Sequence, residues 1–324
     1  MRAGIHVGVN RMKMDSGSLR LRAPGMTGAG KAPRDAPAPR NASPKGENAM
    51  KIHRRALQSL LALCFVSFTH AALAQAADES FKPTVGQEGK DVVWVPTPPA
   101  LVEKMLDLAK VTPQDFVMDL GSGDGRNIIA AAKRGARALG VELNPNMVEY
   151  SNRTAAAEGV ADKARFVQGD MYEADVSQAT VLALFLLTEN LRKLTPKFLD
   201  LKPGTRIVVN HFGIDGWEAD ETARTEGDCN AWCTALLYIV PAKVEGLWRL
   251  PQGDLRLEQK FQTFTGTLAG EGPGMAIENG RLHGDRISFS VGGVEYIGRV
   301  SGDAMKGNVK GSDKDAWAAT RAPR

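Results

Sequence analysis

The chain has 324 residues, enough for about two domains, with 43% hydrophobic and 24% charged residues. Its net charge of +4 is uneven: residues 1–49 hold nine Lys/Arg against three Asp/Glu, a net +6, residues 51–55 add +3, and residues 56–324 are left at −5. The folded part therefore has no basic stripe of the kind that tracks nucleic acid, and no nucleic-acid partner is expected.

Residues 1–49 are rich in Gly, Pro, Ser and Arg and show no apolar period. Such a segment cannot bury a core and reads as disordered. Met50 opens a different pattern. Lys51, Arg54 and Arg55 precede an apolar run, Ala56 to Phe68, and small residues follow in Ala72-Leu73-Ala74-Gln75-Ala76. That order is a secretory signal peptide over 50–76, with the mature chain beginning near Gln75 or Ala77. The expectation is that translation starts at Met50, that residues 1–49 are a mis-assigned gene start, and that the protein is exported to the periplasm. The competing reading is an uncleaved N-terminal anchor that keeps the chain beside a membrane, although the apolar run is short for a span.

Residues 77–243 read as one domain. Val93-Trp94-Val95-Pro96-Thr97-Pro98-Pro99 is extended, because each proline disfavours helix in the residue before it. A helix follows with Leu101, Met105, Leu106 and Ala109 on one face. Phe116-Val117-Met118 then runs as a strand into Asp119 and a glycine turn, Gly121-Ser122-Gly123-Asp124-Gly125. An apolar helical face, Ile128 to Ala132, and a second strand, Ala138 to Val141, lead to Glu142. Glycines let a ligand approach the bare backbone, and the following helix directs free N–H groups at it. An acid ending the second strand lies where a ribose diol can donate two hydrogen bonds.

The spacing is G-x-G-x-G, with Arg126 where a dinucleotide fingerprint has its third glycine. It resembles the first motif of class I S-adenosylmethionine (SAM) methyltransferases. Glu142, Gln168-Gly169-Asp170-Met171 after a third strand (164–167), and Leu201-Lys202-Pro203-Gly204-Thr205 turning into a fifth strand extend the resemblance. The competing reading is a degenerate Rossmann-like domain. Together VPTP, DLGSGDGR, GVELNP and NLRKLTPKFLDLKPGTRIV resemble seven-strand lysine methyltransferases, in particular the non-SET histone lysine and mitochondrial ATP-synthase c-subunit lysine enzymes, over about residues 90–220. The resemblance implies an α/β Rossmann-like sheet with helices on both faces and SAM as cofactor. It implies SAM contacts from Thr97, Asp119, Gly121, Ser122, Gly123, Gly125, Glu142, Asp170 and Met171. Thr97 would meet the methionyl carboxylate and Asp170 the adenine amine; an N-cap hydroxyl and a turn cap are the respective alternatives. An Asn-Pro-Pro-aromatic motif is absent and FLLTEN stands in its place, so the acceptor, a protein lysine or a small molecule, stays open.

The fourth strand, 179–187, is apolar throughout, as a strand covered on both faces is. Glu189 and Asn190 follow it before a helix over 191–199, and Asn210, His211 and Phe212 follow the fifth strand, where they are expected to face the methyl group; Glu189, Asn190 and His211 are the candidate catalytic residues. Cys229 and Cys233 form a disulfide or stay as buried thiols. Five scattered His and no second Cys pair point to no metal. An exported SAM-binding protein without turnover is the alternative to an enzyme.

Residues 244–324 differ in kind. Leu255, Leu257, Gln259, Phe261, Thr263 and Thr265 alternate with charged residues. Turn signals at Asn279-Gly280, His283-Gly284-Asp285, Gly292-Gly293 and Ser301-Gly302-Asp303 punctuate further short runs. A small antiparallel meander or barrel is expected, for packing, dimerisation or substrate recognition, with a frayed tail from Ser312.

Overall fold

A computed structural model describes residues 81–225, 229, 231–270, 273–311 and 315–323. The leader and signal readings for residues 1–76 lie outside these residues. A helix, α1 (Pro99–Leu108), precedes β1 (Phe116–Leu120). The chain then runs α2 (Arg126–Lys133), β2 (Arg137–Glu142), α3 (Pro145–Ala157), β3 (Ala164–Gln168), β4 (Val181–Leu184), α4 (Thr188–Leu199) and β5 (Arg206–Asn210). Two antiparallel strands, β6 (Glu221–Arg224) and β7 (Thr234–Ile239), complete a seven-stranded sheet of order β3-β2-β1-β4-β5-β7-β6.

Why these residues form these layers follows from period two on the strands. Val117, Ala183 and Val208 share a core with Leu101, Met105, Leu106 and Ile128 of α1 and α2. Their neighbours Met118, Leu182, Leu184 and Val209 pack against Leu191, Leu194 and Phe198 of α4. Both faces are thus covered, and strand order reverses between β1 and β4. At such a switch point the two connections leave on opposite faces and open a crevice at the carboxyl edge.

The second part is a closed antiparallel barrel of β8 (Gly246–Leu250), β9 (Gly253–Lys260), β10 (Thr263–Ala269), β11 (Met275–His283), β12 (Arg286–Val291), β13 (Val294–Ser301), β14 (Ala304–Val309) and β15 (Ala316–Arg321). Its interior is filled by Trp248, Leu257, Phe264, Phe289, Met305 and Trp317. It docks at the amino edge of the sheet, where the Ala242 amide donates to the Gly284 carbonyl and Phe261 stacks on Trp217 with ring centroids 5.1 Å apart.

Three local expectations are corrected. The alternation from Leu255 does not continue through Thr265. The chain reverses at Phe261-Gln262, where Phe261 has φ 52, so the inward set restarts at Phe264 while Thr263 and Thr265 are exposed. Asn279-Gly280 is not a hairpin turn. It lies inside β11 at a register shift on both neighbours, a bulge in which Asn279 takes φ 55 and Gly280 crosses against the Phe264 carbonyl. The described tail residues do not fray: β15 pairs with β14 and β8 and closes the barrel, with Trp317 and Ala319 pointing in. Its alternation is weak to the eye because small alanines occupy both faces.

Candidate active site

A cavity of about 310 Å³ opens at the carboxyl edge of the sheet, within the size range of small-molecule sites. Asp119, Gly121, Ser122 and Gly123 after β1, Glu142 after β2, Asp170 and Met171 after β3, and Phe185 to Leu187 after β4 line it. The segment 87–97 covers it from above. The Trp94 amide donates to the Gln87 carbonyl, and the Gly86 amide to the Trp94 carbonyl, so this stretch is a closed loop rather than a simple extended lead-in. Trp94 lies directly on the glycine turn: a Cβ on Gly123 would stand 2.5 Å from its Nε1.

The acids of the cavity are held in different states. Asp119 is buried, and loss of hydration pushes its carboxyl well above the usual range. The Asn127 amide donates to its Oδ2 at 3.0 Å and opposes the shift, while the charges of Glu142 and Asp124 add to it. Asp119 Oδ1, Ser122 Oγ and Asn127 Oδ1 have no partner among the described residues, and all three residues face the cavity. Buried polar atoms of this kind call for a ligand or water to satisfy them. Glu142 Oε2 accepts from the Gly123 amide at 2.9 Å and Oε1 from the Asn144 amide at 3.0 Å. Each carboxylate oxygen keeps a second lone pair for a ligand hydroxyl. Asp170 is held below the usual carboxylate range by the Lys90 ammonium at 2.8 Å and the Tyr172 amide at 2.9 Å.

The other residues singled out in the sequence fall in two groups. Thr97 is buried on the cavity wall, and its Oγ1 accepts from Asn210 Nδ2 at 3.4 Å. It is not a helix cap, since Pro98 is the N-cap residue of α1 and no side chain caps it. Gly125, with φ 82, is the N-cap of α2 just behind the wall.

Glu189, Asn190 and His211 are not among the cavity-lining residues. Helix α4 starts at Thr188 rather than Leu191, which places Glu189 in its first turn. There Arg192 pairs with it at 2.6 Å and lowers its pKa. Asn190 is buried and donates to the Tyr172 hydroxyl at 2.8 Å. His211 is exposed with φ 65, and the next residue, Phe212, presents its ring to the cavity instead.

Sequence reading missed Trp94, Asn127, Phe185 and Trp232, whereas Phe212, expected to face the methyl group, does line the cavity. Phe185 was hidden in an apolar run that read as core strand. Trp232 sits between the two cysteines, outside any helix or strand. Its ring reaches the cavity, and Cys229 and Cys233 are bridged.

Residues 119–221 match the family described as the ANTKMT methyltransferase domain. A protein-lysine N-methyltransferase of Saccharolobus islandicus is 43% identical over 152 residues, covering 46% of this chain and 94% of that protein. The chain belongs to the SAM-dependent protein-lysine methyltransferase family. An ATP-synthase c-subunit lysine N-methyltransferase of Rattus norvegicus is 34% identical over 143 residues, 43% of this chain and 66% of that relative. A solved RNA methyltransferase from Salinibacter ruber with S-adenosyl-L-homocysteine is 42% identical, covers 46% of this chain and 96% of that one, and has a TM-score of 0.43. In this methyltransferase the cavity fits SAM. Its acids complement a ligand that carries a sulfonium and an amine, and its unpartnered atoms sit beside the glycine turn.

Proposed function

We propose that this methyltransferase acts on the ε-amine of a protein lysine, outside the cytoplasm. The observation that carries the acceptor reading is the character of the wall after β4. Phe185, Leu186, Leu187 and Phe212 line it, and among the described residues no ionisable side chain from that edge joins them. An amine entering such a wall is desolvated, which favours its neutral form. The name of the Saccharolobus relative agrees with a lysine acceptor.

SAM, when bound, would supply a methyl group activated by its sulfonium for transfer to a nitrogen lone pair, the S–C electron pair staying on sulfur. The chain's own residues do the rest. Glu142 would hold the ribose hydroxyls, Asp170 would accept from the adenine amine beside Met171, and Thr97 would meet the methionyl carboxylate. Asp119, Gly121, Ser122 and Gly123 seat the methionyl end, with Gly125 starting the helix behind them. Trp94 and the loop 87–97 exclude water, and the apolar wall aligns the amine. The proton leaves to solvent before attack, so no base in the wall is needed.

Methyl-labelled SAM, the purified protein and a cell-envelope extract test the acceptor. Label recovered as methyl-lysine after hydrolysis is expected; label confined to other residues or to small molecules refutes it. Export is supported by the 50–76 pattern and by the Cys229–Cys233 disulfide, since disulfides persist in oxidising compartments. Mass spectrometry from the native host is expected to find a terminus near Gln75 or Ala77. Peptides from residues 1–49, or an intact Met50 terminus in a soluble cytoplasmic fraction, overturn it.

A further inference from the structure

We propose that Phe185, Phe212 and Trp232 form the acceptor's entry site, which recognises an alkyl-ammonium head by its charge, and that the Cys229–Cys233 disulfide holds Trp232 in it. The inference rests on the lysine reading above for its natural ligand, but its chemistry stands on the rings.

Phe185 is the hub. Its ring stacks on Phe212 at 6.2 Å with 16° between planes, and its other neighbour, Trp232, lies tilted against it at 5.9 Å with 58°. The three come from different elements: the end of β4, the turn after β5 and the connection into β7. Such convergence is not a by-product of one hydrophobic strand. All three rings face the same cavity as the glycine turn, and Leu186 reaches within 3.6 Å of where a Cβ on Gly121 would stand. The rings therefore meet the wall close to the methionyl seat.

Burial grades across the group. Phe185 and Phe212 are half-buried, while Trp232 is 37% exposed, a large ring left in solvent at the mouth. An indole face is the strongest aromatic partner for a cation. A lysine stem suits the apolar wall, and its head, methylated or not, meets ring faces as it enters and leaves.

Trp232 needs support to stay there. It has φ 54, a left-handed conformation that a bulky residue seldom adopts. The cross-link between Cys229 and Cys233 fixes the chain on both sides of it, and the Thr225 amide donates to the Cys233 carbonyl. Trp232 also lies beyond residues 119–221, so it is outside the segment that matches the methyltransferase domain.

The test titrates the full chain, saturated with S-adenosylhomocysteine, by calorimetry. The probes are Nα-acetyl-Nε-trimethyl-lysine methylamide and its neutral carbon isostere with a tert-butyl head. The wild type is expected to bind the cation at least fivefold tighter than the isostere. Trp232→Ala is expected to lose that preference, Trp232→Phe to keep most of it, and the double variant Cys229→Ser/Cys233→Ser to fall between. A cooperative thermal unfolding transition in each of them shows that the variant is folded, so that a lost preference is not a lost fold. Equal binding of both probes by the wild type, or a preference that survives in Trp232→Ala, overturns the ring site. A double variant that matches the wild type overturns the role of the disulfide. Label on a non-lysine acceptor with the cation preference intact would sink the lysine reading alone.

Discussion

Gly121 and Gly125 belong to one turn and share one backbone habit, yet alanine at the two positions should have different consequences. Both are left-handed, with φ +74 and +82. Alanine pays about 1–2 kcal/mol for that conformation at either site, offset by roughly 0.4–1 kcal/mol of unfolded-chain entropy. The surroundings then separate them. At Gly121 the nearest atom to a new Cβ is Leu186 Cδ2 at 3.6 Å, an ordinary contact. At Gly125 the Cβ would lie 2.6 Å from two ring carbons of Phe166 and 3.0 Å from Ser151 Cβ. Phe166 is 6% exposed and Ser151 fully buried, so neither can swing into solvent. Overpacking of that kind costs a further ~1–3 kcal/mol. Gly121→Ala should therefore lose about 1 kcal/mol and Gly125→Ala about 2–4 kcal/mol, at about 2–4 °C of Tm per kcal/mol for a domain of this size. Ligand affinity should rank the other way, because Gly121 lines the cavity and Gly125 does not. Thermal unfolding without ligand, and calorimetry with SAM on the folded fraction, give both rankings. Equal losses of Tm, or a weaker SAM affinity in Gly125→Ala than in Gly121→Ala, would show that the contacts around the turn are not what separates these glycines.

Three further outcomes follow from the acids. Glu142→Ala should weaken SAM binding by the loss of charge-assisted hydrogen bonds worth about 1.5–3 kcal/mol each; unchanged affinity in calorimetry refutes the ribose role. Asp170→Asn should weaken SAM binding with little change in ligand-free Tm, because an asparagine oxygen can still accept from the Tyr172 amide; a Tm loss of several degrees with unaltered Kd makes Asp170 a turn cap and nothing more. Asp119 has a raised native pKa, so its contribution to stability is complete below the ordinary Asp value near 4 and is lost as pH rises through the native value. Asp119→Asn should therefore raise the ligand-free Tm at pH 7–8 relative to wild type while weakening SAM binding, and a lower Tm at that pH contradicts the assignment.

The doubly covered sheet was readable because its signals are local and redundant. An apolar strand, a glycine turn and an acid recur in order, and each strand's period agrees with the helices beside it. The barrel was readable in kind for the same reason, through alternation and turns. Its details were not. Asn-Gly has the same composition in a hairpin and in a bulge, and only the partner strands decide between them, as the register shifts around Glu278 and Arg281 show. Phe261 looked inward by count, but one reversal of the chain sent it to Trp217.

At the site, the residues that emerged from the sequence were those that carry backbone conformation or charge close to a strand end: Asp119, the glycines, Glu142 and Asp170. The residues that escaped notice act across long separations. Trp94 reaches the turn at Gly123 from a proline-rich lead-in, and Trp232 meets Phe185 from beyond the fifth strand. No local pattern marks such a contact, because aromatic residues in a chain most often serve a core. Polar residues after a strand, such as Glu189 and His211, are conspicuous in a sequence, whereas an apolar wall is not. Yet for an amine the wall is the more economical device. A carboxylate in Glu189's position, ion-paired to Arg192 and held ionised, leaves the protonation of a distant lysine unchanged. Leu186, buried beside Gly121 and without a ring face to offer a cation, would act on the amine directly once it has passed the rings, since it removes the hydration that keeps the charged form favourable.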